Sequence, residues 1–377
     1  MPMTPPPIDA FPWQREALRS ALAGCATLPH ALLISSAPGY GAGQFASALA
    51  AALLCESGAV LADAKACGHC AACGWMLAGH HPDFRLLGLD TGEEEGAVAG
   101  DGAAESESGS ATLQAAPRAG SKSASTPSKS GAGVKRRPEI KIDDVRGLGN
   151  FAILGASRAG RRVILINPAD RLNLAAANAL LKMLEEPTPG VHFLLATESS
   201  AKLLATVRSR CVSLNLKTPS AELVRQWLSA SAALSAEAAQ HSLDSCGGAP
   251  VAALAMLDAG QTQTHQTVLA AISSIPQADP LDVAQRLESI APAIWVPILQ
   301  RWIEDLARAC AGAPARSRSS DYRRLVAIAA RSNPVALSQF AQFLTAQRKA
   351  VDHPLNPKLF SEAILVAFSA SFSPRQA

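Results

Sequence analysis

Two short apolar runs in the middle of the chain predict buried parallel strands. They cover residues 163–166 and 193–196, and both have strand length and many β-branched or large side chains. The Ala/Leu-rich segment between them predicts a helix, with Asn173 as its N-cap and Pro187 just past its end. Strand, helix and strand in this order predict a right-handed βαβ unit.

A second strand, turn and helix pattern lies nearer the N-terminus. Residues 30–35 predict a buried strand and residues 44–54 a helix, and a glycine-rich turn, residues 37–43, joins them. This order is the architecture of a phosphate-binding loop. Residues 12–23 come earlier and fit a short amphipathic helix. Residues 139–146 predict a further strand that leads into a helix, with Asp143 as its candidate N-cap.

Past Leu216 the pattern changes to helices only, in a small unit of three and a larger group from about Gln263. The three-helix unit is predicted at residues 220–229, with Ser220 as N-cap, and at 236–246 and 251–257. The larger group is predicted at 280–290, 293–310, 322–331, 335–351 and 356–370. We therefore expect an α/β domain over residues 1–217, a helical unit over 218–262 and a second helical domain over 263–377.

Residues 88–138 differ in composition from everything around them. The segment is rich in Gly, Ser and Ala, lacks aromatic residues, and carries its acidic residues first and its basic residues second. Burial of this small apolar surface cannot offset the conformational entropy that the segment would lose on folding. We therefore expect a disordered tether or a tolerated insertion. A weak nucleic-acid contact through the basic end is the alternative.

The chain length, the net charge and the first residues limit the class of protein that we expect. A chain of 377 residues predicts two or three domains. The net charge of +3 argues against tight DNA binding by the chain alone, although it permits a local basic patch. The chain has no apolar run of about 18 residues and no signal-peptide pattern at its start, so we expect a cytoplasmic protein with reduced cysteines.

Four of the eight cysteines are spaced as metal ligands. Cys55 is followed, after eleven residues, by the run Cys67, Cys70 and Cys73. Four thiolates complete a closed tetrahedral zinc site, and no open coordination position is left for catalysis. Free cysteines and an iron–sulfur cluster are the alternatives. The other four, which are scattered, are interpreted as inert: Cys25, Cys211, Cys246 and Cys310.

The phosphate-loop pattern lacks the residues that bind phosphate and Mg²⁺. In the pattern G-x-x-x-x-G-K-[ST], Ser36 replaces the first glycine, Ala42 the lysine and Gly43 the hydroxyl residue. The lysine normally reaches the β- and γ-phosphates, and the hydroxyl holds Mg²⁺. Gly39 and Gly41 remain. The turn therefore fits either a tight connection without a ligand or a vestigial nucleotide loop.

Several stretches together carry a family resemblance. They lie at residues 29–34, 54–55, 67–73, 81–83, 142–146, 177–182, 184–187, 194–197 and 206–211, and less specifically at 301–306 and 356–359. On these residues the chain resembles the delta-prime family of bacterial DNA polymerase III clamp-loader subunits, within the AAA+ superfamily. The resemblance spans nearly the whole chain except residues 88–138. It implies an α/β AAA+ module with flanking helices and an inserted zinc module at 55–73, then a three-helix lid and an all-helical C-terminal collar.

The resemblance also implies that this subunit binds no ATP. Asn167 and Pro168 stand where the Walker B carboxylates of the ATPase subunits would be. Val251 stands at the position of the sensor-2 arginine. With the missing lysine, three separate parts of an ATP site are absent. The expected cofactor is structural zinc alone, and neither ATPase nor polymerase activity is expected.

The family's Ser-Arg-Cys motif is present as Ser209, Arg210 and Cys211. The resemblance implies that Arg210 is an arginine finger, which acts on ATP bound to a neighbouring subunit. The alternative is an arginine that forms a salt bridge at the sheet edge. Arg208 lies two residues earlier and, in an extended segment, would share a face with Arg210.

The implied role is the rigid stator of a clamp loader. Its expected partners are the gamma or tau and delta subunits, and, within the complex, the sliding clamp and primer-template DNA, with no membrane. An active ATPase of the gamma or tau type is the alternative from the enzyme class. A zinc-containing DNA-binding regulator is a third, which the modest charge and missing recognition motifs disfavour.

Overall fold

A five-stranded parallel sheet forms the core of the N-terminal part of the molecule. The computed structural model describes residues 8–24, 28–57, 65–88, 139–153, 156–157, 160–313, 322–347 and 356–372. The strands are β1 (Ala31–Ser35), β2 (Phe84–Gly88), β3 (Arg162–Asn167), β4 (Val191–Thr197) and β5 (Val212–Asn215). They are ordered β2-β3-β4-β1-β5, and every pairing is parallel. The predicted parallel sheet is confirmed.

The helices divide into those beside the sheet and those that follow it. The first group is α1 (Arg15–Ala23), α2 (Ala42–Leu54), α3 (Ala71–Leu77), α4 (Ile142–Ile153), α5 (Leu174–Glu185) and α6 (Ala205–Arg208). The second is α7 (Ala221–Ser231), α8 (Ala236–Ser245), α9 (Pro250–Asp258), α10 (Thr262–Ser274), α11 (Pro280–Leu287), α12 (Pro292–Cys310), α13 (Tyr322–Ala329), α14 (Pro334–Gln347) and α15 (Pro357–Ser369). Short 3-10 turns cover Pro12–Gln14, Ala169–Arg171, Ser200–Lys202 and Ala370–Phe372.

The central strands β1, β3 and β4 are buried on both faces, which is why they are almost wholly apolar. The edge strand β5 is largely exposed. Side chains alternate along a strand, so Leu194 of β4 packs on the side of α2 while Phe193 packs on the side of α4 and α5. Helix α2 is itself buried along nearly its whole length, and its many alanines allow it to approach the sheet closely. The two faces thus form two hydrophobic cores that share one sheet.

The ends of α5 are set by local chemistry, as predicted. The Asn173 side chain accepts a hydrogen bond of 2.8 Å from the backbone N–H of Ala176, so it is the N-cap. The helix stops at Glu185, two residues before Pro187, since the residue before a proline avoids the helical conformation. This placement puts Glu185 on the last turn of the helix.

The helices after the sheet have apolar clusters of their own. Helices α7 to α9 enclose a small one that includes Val224 and Leu228, and the Ser220 side chain caps α7 as predicted. Helices α10 to α15 enclose a large one around the fully buried Trp295.

The domain limits at 217 and 262 stay predictions. Within the described part of the chain, no helix combines the length and apolar character needed to cross a bilayer.

Several details of the prediction were wrong or incomplete. Residues 139–141 form no regular strand, because Ile140 makes only an isolated bridge with Leu172. Helix α4 begins at Ile142, so Asp143 lies in its first turn and is not its N-cap. Strands β2 and β5 and helix α10 were missed, because they are short or only weakly apolar. The predicted insertion lies outside the described residues, except for Gly88, which ends β2.

We expect Asn173→Ala to lower the free energy of unfolding by about 1 kcal/mol, because the first turn of α5 loses its side-chain acceptor. Chemical denaturation followed by circular dichroism would measure the loss. Asn178→Ala is the matched control, since Asn178 is an exposed residue inside the same helix. Equal stability of the two variants would contradict the capping role.

Candidate functional site

The four spaced cysteines converge into one cluster. Their sulfur atoms all lie within 4.8 Å of one another, with Cys55 Sγ 3.9 Å from Cys70 Sγ and Cys67 Sγ 3.8 Å from Cys73 Sγ. Cys55 follows the end of α2, Cys70 is the N-cap of α3, and Cys73 lies in that helix. Helix ends therefore position three of the four sulfurs.

The cluster fits a tetrahedral metal. Four thiolates at the usual zinc–sulfur distance of about 2.3 Å stand about 3.8 Å apart, and the Cys55–Cys70 and Cys67–Cys73 pairs match that spacing. Backbone N–H groups also point at the sulfurs, with Cys70 N donating to Cys67 Sγ at 3.3 Å and Cys73 N to Cys70 Sγ at 3.4 Å. Gly68 adopts φ +78°, the left-handed conformation that this tight turn requires. The donor set is compatible with structural zinc.

Backbone amides also favour the thiolate form of Cys67. The backbone N–H of His69 is the main cause that lowers the pKa of Cys67 to about 6. Burial, in contrast, raises the pKa of Cys73 and of Cys55. Among the other cysteines, burial raises the pKa of Cys211 to about 11, so it is held as an unreactive thiol, as predicted.

The glycine-rich turn has the shape of a phosphate loop, but this chain's own groups fill it. Gly43 opens α2, and a Cβ atom there would lie 2.4 Å from the Asn167 side-chain nitrogen. Asn167 ends β3. The Asn167 side chain therefore packs directly against the start of α2 at Gly43.

A carboxylate takes one of the loop amides as well. The backbone N–H of Gly39 donates to Glu198 Oε1 at 2.7 Å. Glu198 directly follows β4, whose carboxyl end lies next to that of β1. A loop that binds phosphate offers its N–H groups to the anion. Here a negative side chain of the same chain already uses one, and its charge repels a phosphate.

The three-helix unit closes the turn from the other side. The Val251 backbone N–H donates to the Gly39 carbonyl at 3.1 Å, and a Cβ atom on Gly39 would lie 2.5 Å from Ala249 Cβ. Val251 thus contacts the loop through its backbone. The turn and the N-terminus of α9 are therefore in direct contact.

Aromatic side chains join the N-terminal segment to the same unit. Trp227 of α7 packs edge-on against Phe11 and Trp13, with ring centroids 5.0 and 5.2 Å apart. Gln14 donates to the carbonyls of Tyr40 and Gly41 at 3.1 and 2.9 Å. The N-terminal segment, the turn and the three-helix unit therefore form one continuous packed region.

Arg210 lies at the surface, on the segment between α6 and β5. Its Nη1 donates to the Thr206 carbonyl at 2.9 Å, and its Nη2 forms an ion pair with Glu185. The side chain is 35% exposed. Residues 205–208 are helical, so the extended segment in which Arg208 and Arg210 would share a face does not form.

Sequence reasoning missed three residues that contact these features. Glu198 and Ala249 belong to no motif that we recognised in the sequence, and Glu185 lies in the matching stretch 184–187 without an assigned role. One feature of the sequence could have pointed to Glu198. It directly follows a predicted parallel strand, and residues at that place lie at the ligand-binding edge of such sheets. The contacts of Ala249 and Glu185 depend on how distant helices pack, and no local pattern carries that information.

Comparisons with known proteins agree on one family. A family model described as "DNA polymerase III, delta subunit" matches residues 15–220. The DNA polymerase III subunit delta' of Pseudomonas aeruginosa is 30% identical over 298 residues, covering 79% of this chain and 76% of that protein. The protein of the same name from Escherichia coli K12 is 32% identical over 272 residues, covering 71% of this chain and 67% of that protein.

One solved structure aligns over almost the whole chain. It is the DNA polymerase III gamma subunit-related protein of Thermotoga maritima. The alignment covers 96% of this chain and 100% of that protein, at 15% sequence identity. The TM-score is 0.37, and a likeness this weak carries no argument.

We expect Cys67→Ser to lose most of the bound metal and to lower the thermal stability of the N-terminal part, because the site keeps only three thiolates. Metal analysis by mass spectrometry together with differential scanning calorimetry would measure both effects. Cys310→Ser is the matched control, since Cys310 is half-buried in the C-terminal helices. A purified wild-type chain free of metal would refute the prediction.

Proposed function

The chain belongs to the family of DNA polymerase III delta-prime subunits, and from that premise we propose that it is the non-catalytic subunit of a replicative clamp loader. Residues 1–217 act as the AAA+ module, residues 218–262 as the lid and residues 263–377 as the collar that joins subunits. Its partners are the gamma or tau ATPase subunits and the delta subunit. The assembled complex engages the sliding clamp and primer-template DNA.

The filled phosphate loop is the observation that carries this proposal. The Asn167 side chain packs against Gly43, and the Glu198 carboxylate accepts the hydrogen bond of the Gly39 backbone N–H. The direct contact of Gly39 with Val251 and Ala249 supports a fixed relation between module and lid. A subunit that neither binds nor releases nucleotide has no ligand to drive its lid, so it serves as the rigid member against which ATP-driven neighbours move.

Arg210 supplies the part of the reaction that this subunit retains. Its guanidinium is planar, permanently charged and partly exposed, which suits the γ-phosphate charge that develops during phosphoryl transfer. We assign it as an arginine finger that acts on ATP bound by the neighbouring subunit. The Ser209-Arg210-Cys211 motif lies on the segment that leads from α6 into β5.

Zinc has a structural role in this proposal. Four cysteines satisfy its coordination, and the cluster joins the end of α2 to α3 beside the core of the sheet. Metal binding would therefore stabilise the folded N-terminal part and contribute no reacting group.

The isolated chain is expected to bind no ATP, which distinguishes this proposal from an active ATPase of the gamma or tau type. Isothermal titration should give no saturable heat up to about 1 mM ATP, a concentration that would reveal a binding free energy of about −4 kcal/mol. The ATPase subunit measured in the same buffer is the positive control. Saturable binding with hydrolysis by this chain would overturn the proposal.

Arg210→Ala should leave assembly of the complex intact and slow ATP hydrolysis and clamp loading. At the one site that this arginine serves, the loss is expected to be about 10³-fold or more. The other sites keep their own arginines, so steady-state turnover falls to what they sustain. Arg208→Ala is the matched control. Turnover equal to wild type in the Arg210→Ala complex would contradict the assignment.

A further inference from the structure

We propose that Glu185 is a positioning residue for Arg210: its carboxylate holds the guanidinium in the orientation that the neighbour's nucleotide requires. The inference rests on the proposed function, because it assumes that Arg210 acts in trans. It adds a second residue, from a different helix, to the part of the chain that takes part in the reaction.

Two contacts fix the Arg210 side chain, and they come from different elements. The Thr206 carbonyl lies one helical turn earlier in α6, and Glu185 is the last residue of α5. The first contact turns the side chain back along its own helix. The second, an ion pair with Nη2, ties it to a helix that is remote in sequence. Together they define both the direction and the rotation of a long, flexible side chain.

The backbone of Glu185 is itself held in place. Its neighbour Leu184 is 2% exposed and belongs to the core beneath the sheet. Helix α5 ends at Glu185 because Pro187 follows, so this carboxylate always leaves the helix at the same point. The Glu185 side chain is 47% exposed, which places the pair at the rim of the molecule.

The arrangement leaves the guanidinium free to act. A guanidinium has five N–H groups, and these two contacts engage one at each terminal nitrogen. With 35% of the side chain exposed, donors remain for an anion brought by another chain. Ion pairs at an exposed rim are weak, so Glu185 orients the arginine without competing strongly with a triphosphate.

Positioning of this kind acts on the reaction rate rather than on binding. Glu185→Gln keeps the size of the side chain and removes its charge, so Arg210 samples more orientations before each reaction. In the reconstituted complex with clamp and DNA, we expect ATP turnover to fall about threefold, with the KM for ATP changed less than about twofold. The rate should not fall below that of the Arg210→Ala complex.

Glu186→Gln is the matched control, because Glu186 is the next residue, is exposed, and carries the same charge. Its complex should turn over at the wild-type rate. The double variant Glu185→Gln/Arg210→Ala should be no slower than Arg210→Ala alone, since Glu185 acts only through Arg210. An effect on folding alone would instead add to the Arg210→Ala loss and lower the melting temperature.

Each outcome decides between the two proposals. Turnover in the Glu185→Gln complex equal to that of the Glu186→Gln complex, or faster than wild type, overturns the positioning role while Arg210 keeps its own. Additive losses in the double variant overturn it as well. An Arg210→Ala complex with wild-type turnover overturns the proposed function itself, and the positioning of Arg210 with it.

Discussion

The order of strands in the parallel sheet is the constraint on which the rest of the N-terminal structure depends. Strand β4 lies between β3 and β1, so the carboxyl ends of these three strands meet along one edge. That edge carries Asn167 at the end of β3, Glu198 just after β4 and the glycine-rich turn just after β1. The same topology that would assemble a nucleotide site here brings together the groups that fill it.

The filled turn also links parts of the chain that would otherwise be separate. The backbone hydrogen bond from Val251 to Gly39 joins the turn directly to the three-helix unit. The packing of Trp227 against Phe11 and Trp13 adds a second connection between that unit and the N-terminal segment. Backbone and aromatic contacts thus connect the two parts of the chain.

Arg210 lies outside this closed region, and its surroundings differ in kind. The turn is held by contacts within this chain, among them the Glu198 carboxylate, whereas Arg210 lies at the surface beside one carboxylate and one carbonyl. A charge kept at the surface avoids the large cost of burial and stays accessible to another chain. The proposed role in a complex requires such an accessible charge.

The sequence alone determined the features that depend on residues close together in the chain. Asn173 and Ser220 were predicted as helix caps from local pattern, and the four cysteines were predicted as one site from their spacing. The loss of the loop lysine could also be read directly. Short elements were missed, as with β2 and β5, because four or five residues at an edge carry too little periodic signal.

Only the tertiary structure decided what fills the turn and what holds Arg210. Glu198, Ala249 and Glu185 reach their partners through the packing of strands and helices that are distant in sequence. Such contacts depend on strand order and helix placement, which no local pattern specifies. The arginine motif was therefore recognisable from the sequence, whereas the carboxylate beside it became visible only when α5 and α6 were packed together.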